Sequence, residues 1–320
     1  DGSQHAYGMG FLGLAGFAVD HPQDSTNPIF APQPQGFGHL SSSYEFLKIP
    51  LAYSYQVNPH FSLGVSANLG RATLAGDPVG FAAPDCSGPR GPCFFPKVGR
   101  DGAYGYGATI GVHWQINDSF ALGASHSTKM TFDDFEWNAA HANPALPNFG
   151  TARKIKFQLD APATTVVGLA WTPSSRLAVA ADYRLIEYSG AAGFGDSGVN
   201  PLTGAVLGLG WEDINVYAVG AQYHFTERFT GRLGWNQSEN PIPDAGTFFS
   251  LVAPGVFRDH YTGGIGLQLT DALTLDLTYY RATKAEGQGP FLGPTGPVPG
   301  TSVKQEISID SMIATFSFKL

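Results

Sequence analysis

His260-Tyr-Thr-Gly-Gly-Ile-Gly-Leu-Gln-Leu269, followed by Thr270-Asp-Ala-Leu-Thr-Leu-Asp-Leu-Thr-Tyr-Tyr280, decides the fold. Leu273, Leu275, Leu277 and Tyr279 alternate with Thr274, Asp276, Thr278 and Tyr280. That period of two puts an aliphatic row on one side of a strand and hydroxyls with a carboxylate on the other. Tyr261, Ile265, Leu267 and Leu269 repeat the pattern against Thr262, Gly264, Gly266 and Gln268, and only Thr270-Asp271-Ala272 joins the two runs. A long loop from Asn236 to Phe257 precedes them. A tight turn at one end and a long loop at the other is the hairpin of a transmembrane β-barrel.

Composition agrees. The 320 residues include 41 glycines, 13% aromatics and only 14% charged residues, whereas about a quarter of a soluble domain is charged. Mean hydropathy is -0.06, and no run approaches the ~20 apolar residues of a spanning helix. A barrel strand is half polar by construction, which accounts for both facts. A net charge of -8 argues against nucleic acid as a partner, since that needs a basic surface.

The same reading extends along the chain. Residues 7–19 form a glycine-rich first strand. The second, near Tyr44 to Val57, sets Leu47, Ile49, Leu51, Tyr53 and Tyr55 against Lys48, Ser54 and Gln56. After Asn58-Pro-His60 the third places Phe61, Leu63, Val65, Ala67 and Leu69 opposite Ser62, Gly64, Ser66 and Asn68. Strands over 103–116 and 120–132 follow. A long sixth strand reads with one parity, Ile155, Phe157, Leu159, Val167, Leu169 and Trp171 outward and Lys154, Lys156, Gln158 and Asp160 inward. Five more pair around short turns, and a last runs from Val303 to Leu320. The expectation is an all-β chain, one antiparallel outer-membrane barrel over 1–320 with about 12 strands.

Short turns face the periplasm and long loops the exterior, so 20–38, 77–101, 133–152, 190–210, 236–258 and 285–302 are expected outside. Tyr53, Tyr55, Trp114, Trp171, Tyr183, Tyr223, Trp235 and Tyr279 sit near strand ends, where aromatic girdles belong. Phe316, Phe318 and Leu320 resemble the terminal signal read by outer-membrane assembly machinery, an expected partner. Ile307 and Ile309 are odd-numbered while Phe316 and Phe318 are even, which predicts a bulge near Asp310 or Ser311. Cys86 and Cys93 are the sole cysteines and share one external loop. In an oxidising compartment a disulfide is the expected state, worth about 2–3 kcal/mol for so short a loop. No histidine stands nearby to complete a metal site.

Arg232-Leu-Gly-Trp-Asn-Gln-Ser-Glu-Asn-Pro-Ile-Pro-Asp244, Leu251-Val-Ala-Pro-Gly-Val256 and His260-Tyr-Thr-Gly-Gly-Ile-Gly266 resemble the carboxyl-terminal signature of the FadL/TodX outer-membrane transporters of hydrophobic compounds. Residues 7–17 and Tyr44-Glu-Phe-Leu-Lys-Ile-Pro50 are similar to that family's third and fourth strands. The resemblance implies a 14-stranded barrel plugged by an amino-terminal hatch. The hatch, its Asn-Pro-Ala motif and about two strands do not occur in these 320 residues. Either they lie outside the chain, the reading favoured here, or the barrel is a reduced one. The resemblance further implies passive uptake of long-chain fatty acids or aromatic hydrocarbons across the bacterial outer membrane, past the lipopolysaccharide, without cofactor. It also implies sideways release at a kink in the strand that residues 7–19 resemble.

Candidate passage residues follow. Gly10 and Gly13 suit a kink, because glycine in a strand marks a bend or bulge, and Leu12 and Leu14 offer an apolar inward face. Glycines that merely ease packing are an equally good reading. Phe248, Phe249, Leu251, Val252 and Phe257 form an external apolar run, and bare apolar surface costs about 25 cal/mol per Å². That loop therefore either folds into the barrel mouth or holds ligand. Phe94 and Phe95 read as local packing beside Cys93. Lys154, Lys156, Arg184 and Arg232 could receive a carboxylate, yet Asp160, Asp182 and Asp276 share their parity and a neutralising lumen network accounts for them better. His126 lies between Ser125 and Ser127 without an acid or oxyanion element, so no catalytic constellation is present. A general or substrate-specific porin, or a surface adhesin or assembly-partner barrel, is the competing class.

Overall fold

The computed structural model describes residues 4–88, 91–293 and 296–319. In chain order the strands are β1 (His5–Met9), β2 (Leu12–His21), β3 (Leu40–Asn58), β4 (Phe61–Asp77), β5 (Asp85–Cys86), β6 (Cys93–Phe94), β7 (Val98–Gln115), β8 (Phe120–Ser127) and β9 (Thr131–Phe132). They continue with β10 (Phe135–Ala140), β11 (Ala152–Phe157), β12 (Ala163–Trp171), β13 (Leu177–Glu187), β14 (Ile214–His224) and β15 (Phe229–Ser238). β16 (Asp259–Gln268), β17 (Leu273–Gly289), β18 (Leu292–Gly293), β19 (Gly296–Pro297) and β20 (Val303–Phe318) complete the set.

The main sheet is antiparallel and runs β1-β3-β4-β7-β8-β12-β13-β14-β15-β16-β17-β20, twelve wall positions, with β2 extending β1 along β3 and β9 extending β8 along β7. Leu40 of β3 and Val303 of β20 pack in one cluster with Ile29 and Leu251, which brings the two ends of the sheet round toward each other. Turns of a few residues join the strands at one rim. Loops over 22–39, 78–97, 128–162, 188–213, 239–258 and 290–302 fill the other, carrying the ribbons β5–β6, β10–β11 and β18–β19.

Period-two alternation sets the two faces of the wall. On β4 the apolar Leu63, Val65 and Leu69 are 43%, 49% and 50% exposed, while Asn68 and Ala72 between and beyond them are buried. An apolar row open to the outside is stable only against lipid. Phe120 stacks on Trp171 and Phe225 on Phe229 at the short-turn rim, and Tyr183 leans on Tyr217 farther up, as amphipathic rings do at the two interfaces.

Three parts of the wall differ from the sequence reading. Residues 154–171 are not one strand: β11 leaves the wall to pair with β10, and β12 begins only at Ala163. Parity is lost between them because Leu159 and Asp160 turn into the interior and are buried. β20 carries no bulge at Asp310 or Ser311 and keeps a single parity, with Ile307 and Ile309 facing inward opposite Ala285 and Ala282. The extra residue sits on β17, between Ala282 and Ala285. Finally, residues 7–19 form two strands, interrupted at Gly10 and Phe11. Leu320 lies outside the described residues.

The two faces make opposite predictions for a buried cation. Leu277→Arg, on the lipid side of β17, should cost about 2–4 kcal/mol, the penalty for arginine near the bilayer midplane. Ser125→Arg, on the lumen side of β8, should leave stability nearly unchanged. Guanidinium-driven unfolding in lipid vesicles measures both, and equal costs would mean that Leu277 does not face lipid.

Candidate functional site

The outer loops converge on an apolar vestibule. Cys86 and Cys93 form a disulfide across the β5–β6 ribbon. The neighbouring Asp85 carboxylate, nearly buried, accepts from His141 Nδ1 at 2.7 Å, Ala142 N at 2.6 Å and Arg153 Nη1 at 3.2 Å. A buried carboxylate needs several such donors, so this cluster fastens the disulfide loop to the β10–β11 hairpin. Phe95 N donates to Gln33 Oε1 at 2.7 Å, which ties the same loop to residues 22–39. Short 3-10 turns over Asp244–Gly246 and Phe249–Val252 fold residues 239–258 back over the barrel mouth.

A cavity of about 500 Å³ lies between these loops, walled by Phe37, Phe81, Phe95, Phe157, Phe248 and Phe249 with Leu202, Val206, Leu209, Leu251 and Val252. Phe81 and Phe157 stack at 4.3 Å between ring centroids, Phe37 meets Phe95 edge-on at 5.2 Å, and Phe248 lies 5.8 Å from Phe37. Offset and edge-on rings gain attraction beyond their buried area, so the walls are preorganised. A smaller cavity shares Phe81, Phe157, Leu209 and Val252 with the vestibule and reaches down to Phe17 on β2.

Beneath the vestibule the barrel is filled. Met130 and Phe132 turn inward from the bent stretch between β8 and β10 and lie over Gly70, Gly105 and Gly107. A Cβ at Gly105 would stand 2.7 Å from the Phe132 ring, and one at Gly107 2.7 Å from Met130 Cγ. Glycine is required here because the bulky side chains rest directly on the wall. Phe46 packs edge-on against Phe132 at 5.4 Å. Asp160 accepts from Phe132 N at 3.0 Å and from Gln158 Nε2 at 3.2 Å, while Lys129 Nζ stands 3.2 Å from its other oxygen without an aligned hydrogen bond. Removing Lys129 would leave a buried charge uncompensated, which fixes the inward fold of this segment.

Below that layer the lumen opens again, without the phenylalanines of the vestibule. Its cavities are lined by Ser54, Ser62, His113, Ser125 and Asp182 among glycines and small residues, and by Ser66, Thr109 and Gly8 beside β1. Neither shares a lining residue with the vestibule or the small cavity beneath it.

The wall itself weakens beside that layer. Gly10 N donates to Pro50 O at 3.4 Å, but Pro50 has no N–H to return. The ladder therefore lapses between Met9 and Leu12. Farther along β2 the register slips between Gly13 and Ala15, so Leu14 is the bulged residue and the parity reverses. Leu12 faces inward opposite Lys48, and Phe17, beyond the bulge, turns inward to stack on Tyr44 at 5.4 Å.

Phe248, Phe249, Leu251 and Val252 line the vestibule, but Phe257 does not; it stands at the entry to β16, its ring 6.0 Å from His260 and its carbonyl accepting from Ser238. Lys154 and Lys156 are not lumen cations. Both lie on β11, in the external hairpin, where Lys156 pairs with Glu136 and, at 3.6 Å, with Asp134. The hydrogen bond from Lys156 and its charge hold the Glu136 carboxyl below the usual carboxylate range, and the same bond raises Lys156. Their strand peels off the wall, which no alternation pattern reveals. Arg232 donates to Gln222 at 2.7 Å and pairs with Asp276 at 2.5 Å, whereas Arg184 has no ion-pair or hydrogen-bond partner among the described residues. His126 Nδ1 lies 2.9 Å from Thr165 Oγ1, not against a serine. Phe37, Phe81 and Phe95 were not singled out for the vestibule, although each is a phenylalanine in or beside a polar, proline-rich loop, and Phe157, read as an outward residue of a wall strand, joins them because β11 leaves the wall.

Residues 16–289 match the family model described as outer membrane protein transport protein (OMPP1/FadL/TodX). No curated protein matches the sequence. Among solved structures the fold is similar to the Pseudomonas putida toluene transporter TodX, at 18% identity, covering 99% of this chain and 80% of that one with a TM-score of 0.68. The Ralstonia pickettii toluene transporter TbuX is similar at 17% identity, 99% and 79% coverage and a TM-score of 0.67. A Pseudomonas aeruginosa FadL homologue gives 17%, 98% and 75%, and 0.69.

The filled layer predicts an electrically quiet barrel. In planar bilayers the wild-type protein should show almost no ionic conductance, and replacing Met130 and Phe132 together by alanine should open discrete channels. A wild-type conductance equal to that of the double variant would show that these side chains do not close the axial path.

Proposed function

The chain belongs to the OMPP1/FadL/TodX family of outer-membrane transport proteins, and from that premise we propose that it takes up hydrophobic molecules passively and releases them sideways through the interrupted first strand. It resides in the bacterial outer membrane and is a transporter, not an enzyme. The observation that carries the reading is the change of lining along the barrel axis: six phenylalanines above, packed side chains in the middle, serines, His113 and Asp182 below.

An apolar molecule leaving water for the vestibule gains about 25 cal/mol per Å² of surface covered. To continue down the axis it would have to displace Met130, Phe132 and Phe46 and then enter a lumen where serines, His113 and Asp182 stand among small residues and no phenylalanine covers it. The side path costs less. The small cavity leads from Phe81 and Phe157 to Phe17; three residues back along β2 the wall bulges at Leu14, and farther down the same strand segment it lacks the full ladder between Met9 and Leu12. Hydrocarbon lies on the other side, so the ligand passes from one apolar medium to another. No energy source or cofactor is needed, because the gradient of the molecule itself supplies the direction. A general porin would instead need a continuous water-filled lumen.

Uptake of labelled toluene and hexadecanoate by intact cells expressing the protein tests the proposal. Gly10→Val stiffens the interruption, and a Cβ at Gly10 meets only Pro50 Cγ at 3.9 Å, so the barrel should still assemble. Pro50→Thr restores the missing donor. Each should lower uptake several-fold at unchanged barrel abundance. Unchanged uptake in both variants would overturn sideways release, and rapid swelling of protein-bearing liposomes in sugar solutions would overturn the transporter reading in favour of a porin.

A further inference from the structure

Arg71 of β4 and Arg100 of β7 converge on the membrane face of the barrel. The Arg71 guanidinium carbon lies 5.6 Å from the centroid of the Tyr104 ring, and a Cβ built on Gly102 would stand 3.6 Å from its Nη2. Arg100 Nη1 is 3.3 Å from Thr73 Oγ1 and 3.0 Å from Glu45 Oε2. Thr73 and Gly102 are direct cross-strand partners, and such positions are about 5 Å apart. The two guanidiniums therefore flank one residue pair; Glu45 on β3, across from Thr73, pairs with Arg100 alone, and Arg71 has no acidic partner among the described residues.

Depth gives the patch its meaning. Arg71 is ten residues along β4 from Phe61 at the periplasmic rim, and at ~3.3 Å per residue with a strand tilt near 40° it stands about 25 Å higher, the height of the apolar band. Exposed Tyr104, Tyr106 and Leu69 lie at and below it on the same face. The basic patch thus sits where the headgroups of the outer leaflet begin, directly above side chains that suit acyl chains. Elsewhere on the outer wall the charges cancel: Lys284 and Lys304 pair with Glu286 and Glu306 in equal number.

We propose that Arg71 and Arg100 bind the phosphate of a lipopolysaccharide-type glycolipid in the outer leaflet, with Tyr104, Tyr106 and Leu69 packed against its acyl chains. Two guanidiniums present paired N–H donors that match phosphate oxygens, and the Gly102 position leaves the approach open. The site depends on the outer-membrane location and is independent of the route a transported molecule takes.

Native mass spectrometry of the purified full chain, titrated with lipopolysaccharide and with the same lipid after enzymatic dephosphorylation, tests this. The phosphorylated lipid should bind roughly tenfold more tightly, and Arg71→Gln with Arg100→Gln should abolish that preference. Lys284→Gln with Lys304→Gln should keep it, and inorganic phosphate should not displace the lipid. Equal binding of the two lipids by the wild type, or a preserved preference in the arginine variant, would overturn the site. Displacement by inorganic phosphate would show a free-anion site instead. The two-lipid comparison on the wild type decides the matter even if the double variant does not assemble.

Discussion

Inside a bilayer a backbone amide finds no water, so every N–H and C=O of a spanning segment must be paired within the protein. That constraint explains why the chain runs as long antiparallel strands, and it makes any lapse in the ladder informative. Proline at position 50 removes one donor from the row facing the first strand, and the bulge at Leu14 leaves another position without a register partner. Both lapses fall in the glycine-rich segment 7–19, where the missing side chains and the missing pairs coincide. The bulge lies three residues along β2 from Phe17, where the small cavity that descends from the vestibule ends.

The loops owe their shape to a second requirement. Phenylalanines carried on external segments must leave water, and they do so by meeting one another above the barrel and by folding into it. The layer that closes the barrel is built from both sources: Phe46 and Ala72 project from the wall, while Met130, Phe132 and Leu159 arrive from bent segments. Three glycines of β4 and β7 provide the room. Asp160 holds the bend from inside by accepting the Phe132 amide with Lys129 close by. A phenylalanine-walled vestibule above and a lumen lined by serines, His113, Asp182 and small residues below follow from where that layer lies.

The outer surface obeys the same solvent logic in reverse. Apolar rows face hydrocarbon, aromatic rings mark its limits, and charge returns beyond them at both rims. Arg71 and Arg100 are conspicuous because the other charged ladder near that height, Lys284 with Glu286 and Lys304 with Glu306, is internally neutral.

Alternation by itself determined most strands of the wall, the lipid side of β4, β7 and β17 and the rim that carries the long loops, and the two cysteines determined the disulfide loop, because each depends on neighbours in sequence or on one strict period. Phe248, Phe249, Leu251 and Val252 were legible for the same reason, as apolar residues stranded in a loop. What the tertiary structure alone decided is where the pattern stops applying. Lys154 and Lys156 keep a strand's alternation but lie outside the wall, Ile307 and Ile309 face inward rather than to lipid, and Phe81 and Phe95 of one loop meet Phe157 of β11 and Phe37 of another loop in one cavity wall. A period of two says that a strand has two faces; it carries no information about which solvent meets each face once a segment peels away or the lumen is filled, since that is fixed by contacts between residues far apart in the chain.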